Sequence, residues 1–237
     1  MRNLLLTICL LLALKTHCQK NNTIDFSIGT SLPLANFKKS DIKDLESGYA
    51  KNGRNLKLSY SKEIKNHIGI QLTLMGISNK MDNQPILKEF VTSYPNTKLV
   101  NAPTRSWKNT SVLFGVYREI SFLNNRIIII PKLQAGYSFT ERPGLSISNH
   151  RDDTTIPPSE NESEAASLGL LFGLNNNYVI NDRLRFFVSC DFFTTSPKFN
   201  FISYSATDKN APSQATDISY IQDIRLLMIN GGCSILF

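Results

Sequence analysis

Beyond its first 18 residues the chain holds two histidines, His67 and His150, and two cysteines, Cys190 and Cys233. His150 stands in SNHRDDTT, just ahead of Asp152 and Asp153. At that spacing an imidazole and carboxylates could pass a proton or hold a metal ion weakly. His67 stands in KEIKNHIG, beside a predicted short turn. Around these residues the chain has no HExxH, GxSxG or CxxC, and no Gly-rich phosphate loop or dinucleotide fingerprint. The residue sets of metalloprotease, serine-hydrolase, thiol-redox and nucleotide chemistry are therefore missing. The sequence assigns no catalytic, cofactor-binding or metal-binding residue and no cofactor, and the reading is a non-enzymatic protein with His67, His150, Asp152 and Asp153 as solvated surface groups. Cys190 and Cys233 fall in strand-like segments on one face but at heights that do not match. They read as two separate apolar thiols, although an oxidising compartment would permit a bridge.

The elements that position these residues repeat with period two, the spacing of a strand with two different faces. Eight such segments occur. In TIDFSIGTS, Ile24, Phe26 and Ile28 oppose Asp25, Ser27 and Gly29. In NLKLSYSKEIKNHIGIQLTLMGIS, Leu56, Leu58 and Tyr60 oppose Lys57, Ser59 and Ser61; after a turn at Lys65-Asn66, Ile68, Ile70, Leu72 and Leu74 oppose Gly69, Gln71 and Thr73. WKNTSVLFGVYREI and RIIIIPKLQAGYSFTE follow, joined around Leu123-Asn124-Asn125. The first of these alternates poorly; Val112, Phe114 and Val116 are placed on its apolar face. In the second, Leu133, Ala135, Tyr137 and Phe139 oppose Lys132, Gln134, Gly136 and Ser138, and Pro131 suggests a bulge. ASLGLLFGLNNNYVI and RLRFFVSCDFF turn at Asn181-Asp182, and ISYIQDIRLLMINGGCSILF closes the series.

The links alternate strictly between short turns and long polar stretches rich in Pro, Asn, Ser, Asp and Lys. All long loops must then lie at one end and all short turns at the other. Scattered basic residues, 26 Lys+Arg against 19 Asp+Glu, form no run that would track nucleic acid. The N-terminal MRNLLLTICLLLALKTHCQK has Arg2, an apolar stretch from Leu4 to Leu14, and small residues Thr16 and Cys18 before Gln19. It reads as a secretory signal peptide over residues 1–18, too short to span a bilayer. A lipid-modified Cys18 is the rival reading, against which stands the bulky His17. Residues 19–237 then form one exported domain.

Alternation alone does not say which face points inward. Strand length beyond the roughly 9–11 residues of a tilted crossing, the loop asymmetry, and a polar face mixing Gly, Ser, Thr and Gln with isolated charges (Lys57, Lys132, Arg185, Asp191) favour apolar-outward. The expectation is an all-β fold, an eight-stranded antiparallel up-and-down transmembrane β-barrel. Trp107, Tyr137, Phe139, Tyr178 and Phe192 are read as interfacial belt aromatics. Phe199, Phe201 and Tyr204 in KFNFISYS either extend the seventh strand's hairpin or form a contact surface.

The signal peptide, the eight strands, the loop rhythm and the terminal GGCSILF together resemble the bacterial outer-membrane β-barrel domain family, the OmpA/OmpX-like "porin family" group of Bacteroidetes-type bacteria. The resemblance is architectural and covers the mature chain. It implies a cell outer-membrane location and a last strand closing on the first. It also implies that Phe237 is recognised by the barrel assembly machinery. The implied partners are outer-membrane lipids, that machinery, and an extracellular or envelope protein meeting the long loops; no nucleic acid is implied, and the expected state is a monomer. The leading function is structural, adhesive or partner-binding. The alternatives are a small pore, a lipid-modifying enzyme that would need His150, and a soluble periplasmic β-barrel.

The loop asymmetry fixes an orientation. A tag inserted beside Asp152 is expected to be labelled on intact cells and one at Asn124 is not; the opposite pattern would overturn the topology.

Overall fold

The computed structural model describes residues 22–41, 44, 46–93, 99–101, 105–124, 126–149, 155–160, 162–205 and 214–237. The leader, Asn125, His150, Asp152 and Asp153 lie outside them. Eight long strands carry the fold: β1 (Asn22–Leu34), β2 (Ala50–Lys65), β3 (Ile68–Met81), β4 (Ser106–Arg118), β5 (Ile127–Arg142), β6 (Ser163–Asn181), β7 (Leu184–Thr195) and β8 (Ile224–Leu236). Each pairs antiparallel with the next, from β1–β2 through β7–β8. β8 then pairs with β1, from Thr23 opposite Leu236 to Leu34 opposite Arg225. The sheet is a closed, up-and-down barrel.

The stagger of that closure can be followed residue by residue. A hydrogen-bonded row leaving Ile24 passes Tyr60, Leu72, Phe114, Ala135, Leu170, Thr194 and Arg225 and meets β1 again at Leu34, ten residues further on. With ~3.3 Å per residue and ~4.7 Å between strands, eight strands so staggered tilt by roughly 40°. A ring of this size has room inside for side chains and little else.

The faces are disposed apolar-outward. Ile24, Phe26, Ile28, Leu56, Leu58, Leu72, Leu74, Val112, Phe114, Val116, Leu168, Leu170, Phe172 and Leu174 are exposed, while Ser27, Lys57, Ser59, Ser61, Gln71, Thr73, Ser111, Gln134, Ser138, Asn175, Ser189 and Asp191 are buried. A water-soluble barrel would not expose so continuous an apolar belt, and a hydrocarbon surround needs it. Among the described residues no helix is long and apolar enough to cross a membrane; the crossing is by strands. Tyr137, Phe139 and Tyr178 point outward as belt aromatics should.

The short turns fit their residues. Asn66 and His67 take φ of 53° and 62°, and Leu123 and Asn124 take 49° and 54°. Consecutive positive φ values are those of hairpin turns whose twist matches the strands. The first turn thus lies one residue beyond Lys65-Asn66, and His67 is in it rather than beside it. Pro131 makes no bulge. β5 keeps one register past it on both sides, but the β4 ladder is interrupted after Tyr117 opposite Lys132 and resumes at Ile120 opposite Ile129. Proline has no N–H for the missing rungs; on the other side of β4 the Glu119 N–H donates to the His67 carbonyl at 2.7 Å, continuing the register with β3.

At the other end the long links are structured. Helix α1 (Ala35–Lys38) follows β1, and α2 (Gln84–Ser93) follows β3. Segments Leu99–Asn101, Leu145–Asn149, Thr155–Glu160, Lys198–Ser205 and Gln214–Ile221 form a second, five-stranded sheet above the barrel mouth. KFNFISYS is the inner strand of that sheet's terminal hairpin, pairing with Gln214–Ile221.

Phe237 lies at the seam. Its N–H donates to the Asn22 carbonyl at 3.0 Å, and the Asn22 N–H donates back at 3.3 Å. Deleting Phe237 removes this last rung and an outward-facing ring, so the folded amount in the membrane fraction is expected to fall. Heat-modifiable gel mobility measures it; equal folded amounts would count against the closure argument.

Candidate functional site

The interior has two layers, one ionic and one in which apolar side chains enter beside neutral polar ones. Toward the short-turn end it is polar and ionic. Asp191, fully buried on β7, receives Lys57 from β2 on Oδ2 and Lys132 from β5 on Oδ1, the latter at 3.1 Å. Ser189 Oγ and Asn230 Nδ2 also donate to Asp191 Oδ2, at 3.0 and 3.1 Å. Lys132 Nζ donates further to Asn175 Oδ1 at 2.9 Å. Near the turns Arg185 meets Glu119 at 2.9 Å. Asp25 accepts from Gln71 Nε2 at 3.2 Å, and Gln71 Oε1 in turn accepts from Gln134 Nε2 at 2.9 Å. Three cations (Lys57, Lys132, Arg185) therefore face three carboxylates (Asp25, Glu119, Asp191), and each finds hydrogen-bonding company. Such pairing is what makes buried charge tolerable. Gly173 makes room for the central cluster: a Cβ there would run into Asp191 Oδ1 and Lys132 Cε.

The alternation points Lys57, Lys132, Arg185, Asp191 and Glu119 inward, and they are inward and paired. It also implies a polar lumen throughout, and there the structure differs. Toward the long-loop end Met75, Ile77, Leu113, Leu171, Phe193, Leu226 and Met228 enter the interior beside buried, mutually hydrogen-bonded Ser31, Asn79, Asn109, Ser111 and Ser138, with Leu113, Leu171, Phe193 and Met228 fully buried. The signal is present as apolar residues in adjacent positions, Leu74-Met75, Val112-Leu113-Phe114, Leu170-Leu171-Phe172, Phe192-Phe193 and Leu226 to Ile229. Alternation lapses there because both faces are dry.

An aromatic lid covers this plug. Trp107, expected in the outward belt, is inward and 4% exposed. The reason is local: Nε1 donates to the Gly48 carbonyl at 2.9 Å, and the ring packs edge-on against Phe37 of α1 at 5.4 Å and Phe199 at 5.8 Å. Phe199 leans on Tyr220 at 5.9 Å, whose hydroxyl accepts from Arg142 Nε at 3.0 Å. Gln222 Nε2 donates to the Glu46 carbonyl at 2.8 Å, and the Asp82 N–H to the Tyr49 carbonyl at 2.7 Å. The β1–β2 link is thus fastened to the other strands around the mouth. Below the plug, the gap bordered by Asp25, Gln71, Tyr117, Glu119, Asn175 and Arg185 measures about 10 Å³, room for one water molecule at most.

No constellation for catalysis forms from the candidate residues that are described. His67 is exposed in its turn with Nδ1 3.6 Å from Glu63, and among the described residues no group of three His, Cys, Asp or Glu could hold a metal ion. Cys190 and Cys233 are free thiols on the outward face. Cys190 stands opposite Ile229, four residues from Cys233 along β8. That is roughly 13 Å, too far to bridge.

No family model matches the chain, and no curated protein matches it. Solved structures do. A major outer membrane protein from Thermus thermophilus is 12% identical with a TM-score of 0.51, covering 90% of this chain and 99% of that one. OprG from Pseudomonas aeruginosa is 12% identical at a TM-score of 0.44, over 92% and 97% of the two chains. Neisserial surface protein A is 11% identical at 0.43, over 91% and 97%. The Thermus likeness is one of fold, and the fold is that of the outer-membrane barrel.

Asp191 holds two buried ammonium groups, so Asp191→Ala is expected to destabilise the barrel by about 3–5 kcal/mol in urea titration. Replacing all three charges, Lys57→Met with Lys132→Met and Asp191→Leu, is expected to recover most of that loss. A cost under ~1 kcal/mol for Asp191→Ala would mean the lysines find other partners.

Proposed function

We propose that this chain is a non-enzymatic, monomeric outer-membrane barrel, sealed along its axis, that presents the sheet above its mouth for structural, adhesive or partner-binding contact. The observation that carries the reading is the filled interior: among the described residues an ionic layer, an apolar plug and an aromatic lid stand in series across any water path along the axis. A conduit needs such a path; a platform does not. The long links carry the sheet that such a platform would present. Membership of the OmpA/OmpX-like group, export by the N-terminal leader and handling by the barrel assembly machinery belong to the same proposal; the barrel architecture supports the first and the residues of the leader the second. A lipid-modifying activity would draw on His150, and a pore would require the plug to leave.

Two measurements test this. Purified wild-type protein in planar bilayers is expected to give no steady conductance; a stable open level would overturn the sealed reading. Expression in a non-adherent host is expected to increase attachment to protein-coated surfaces. Shortening the link between β7 and β8 to a tight turn should abolish the gain while heat-modifiable mobility persists. Correctly assembled protein that adds no attachment would argue against an adhesive cap.

A further inference from the structure

The barrel's outer rim is not uniform in charge. On one hydrogen-bonded row, Arg54 of β2 and Lys108 of β4 stand on either side of Ser78 of β3, each about 5 Å away along the row. Lys80, two positions beyond Ser78 on β3, completes a triangle around the serine, and all four residues are exposed on the outward face. Lys108 has an anionic partner, Glu141, at 2.6 Å. No carboxylate among the described residues is within ion-pair reach of Arg54 or Lys80.

Directly below Ser78 is Gly76, where an added Cβ would meet nothing within 4 Å. This open slot is flanked by Leu56 and Thr110 across the two neighbouring strands. Beneath it lie Leu58, Leu74 and Val112 on the next outward row, each exposed. The sector therefore stacks two cations that have no carboxylate partner among the described residues, a third paired with Glu141, and a hydroxyl above an open position at Gly76 that leads down into the apolar belt. Two rungs round the ring the pattern inverts, with Glu141 directly opposite Glu164 on β6.

We propose that the β2–β4 sector is a site for an anionic, phosphate-bearing membrane lipid, one whose headgroup carries no cation of its own. Its headgroup is held among Arg54, Lys80, Lys108 and Ser78, and an acyl chain lies over Gly76 along Leu74. Charge complementarity selects the headgroup, and the open slot continuous with the belt selects an amphiphile over a soluble anion. The acid-bearing β5–β6 sector repels the same headgroup, so the lipid ring around the barrel is sorted by side. This inference concerns the membrane-embedded wall and stands whether or not the cap is adhesive.

The test is native mass spectrometry of the full folded chain, titrated in mixed micelles with phosphatidylglycerol and, separately, phosphatidylcholine. The wild type is expected to retain phosphatidylglycerol preferentially. Arg54→Gln or Lys80→Gln should weaken that retention about fivefold each, and the pair about twenty-fivefold. Arg225→Gln, outside the sector on β8 and two strands away from β2, should leave it unchanged. Gly76→Phe, which fills the slot and keeps every charge, should also weaken it; this variant decides the matter if the double substitution fails to assemble. Equal retention of the two lipids by the wild type overturns the proposal. An Arg225→Gln loss equal to that of Arg54→Gln also does so, because it marks diffuse attraction. So does displacement of the lipid by millimolar inorganic phosphate, which marks a soluble-anion site.

Discussion

A peptide group in hydrocarbon has no water to bond with, and every N–H and C=O in the crossing must find another peptide group. The pairing of β8 with β1 satisfies that demand for the whole molecule at once. Without it, two strand edges of more than ten residues would face lipid, and each unpaired group would cost several kcal/mol. Everything else is set by how the ring closes. Eight strands staggered by ten residues fix the tilt and diameter, and the diameter fixes how much side chain the interior must hold.

The interior meets that requirement by two different physical means. In the layer near the short turns, Asp191 between Lys57 and Lys132, and Arg185 against Glu119, balance charge locally. Burying ions gains little net stability but fixes which side chain sits beside which, because a misplaced partner leaves a bare charge. In the layer near the mouth, Leu113, Leu171, Phe193 and Met228 gain by exclusion of water, about 1.5–3 kcal/mol for each side chain fully buried. The lid of Phe37, Trp107 and Phe199 extends that dry zone into the loops, tying the β1–β2 and β7–β8 links to the barrel itself.

Much of this is legible in the residues. Period-two alternation locates the strands and, outside the weakly alternating Ser106–Arg118 and the plug positions, their faces, because lipid on one side and a polar layer on the other impose opposite demands at successive positions. The alternation of long and short links gives the topology. Trp107 misleads because strand-end position alone does not distinguish an outward belt ring from an inward lid ring; its partners Gly48, Phe37 and Phe199 come from distant parts of the chain. The plug escapes notice for a related reason. In Leu170-Leu171-Phe172 the eye follows the outward pair and passes over the residue between them, although an uninterrupted apolar run is the mark of a strand dry on both faces. The pairing of Lys57 and Lys132 on one aspartate depends on register across four strands, which no local pattern encodes.

The ten-residue stagger also shapes the bilayer. The polar limit of the belt runs along the row Arg54, Ser78, Lys108, Glu141, and a row in a barrel tilted by roughly 40° climbs as it goes round. Over three strand spacings the rise is about 9 Å. The apolar wall is therefore low along β2, where Lys62 also bounds it from beneath, and tall along β5. Lipids beside β2 must shorten their hydrophobic span and those beside β5 must lengthen it, so the protein either leans in the membrane or holds a thickness gradient across its own width.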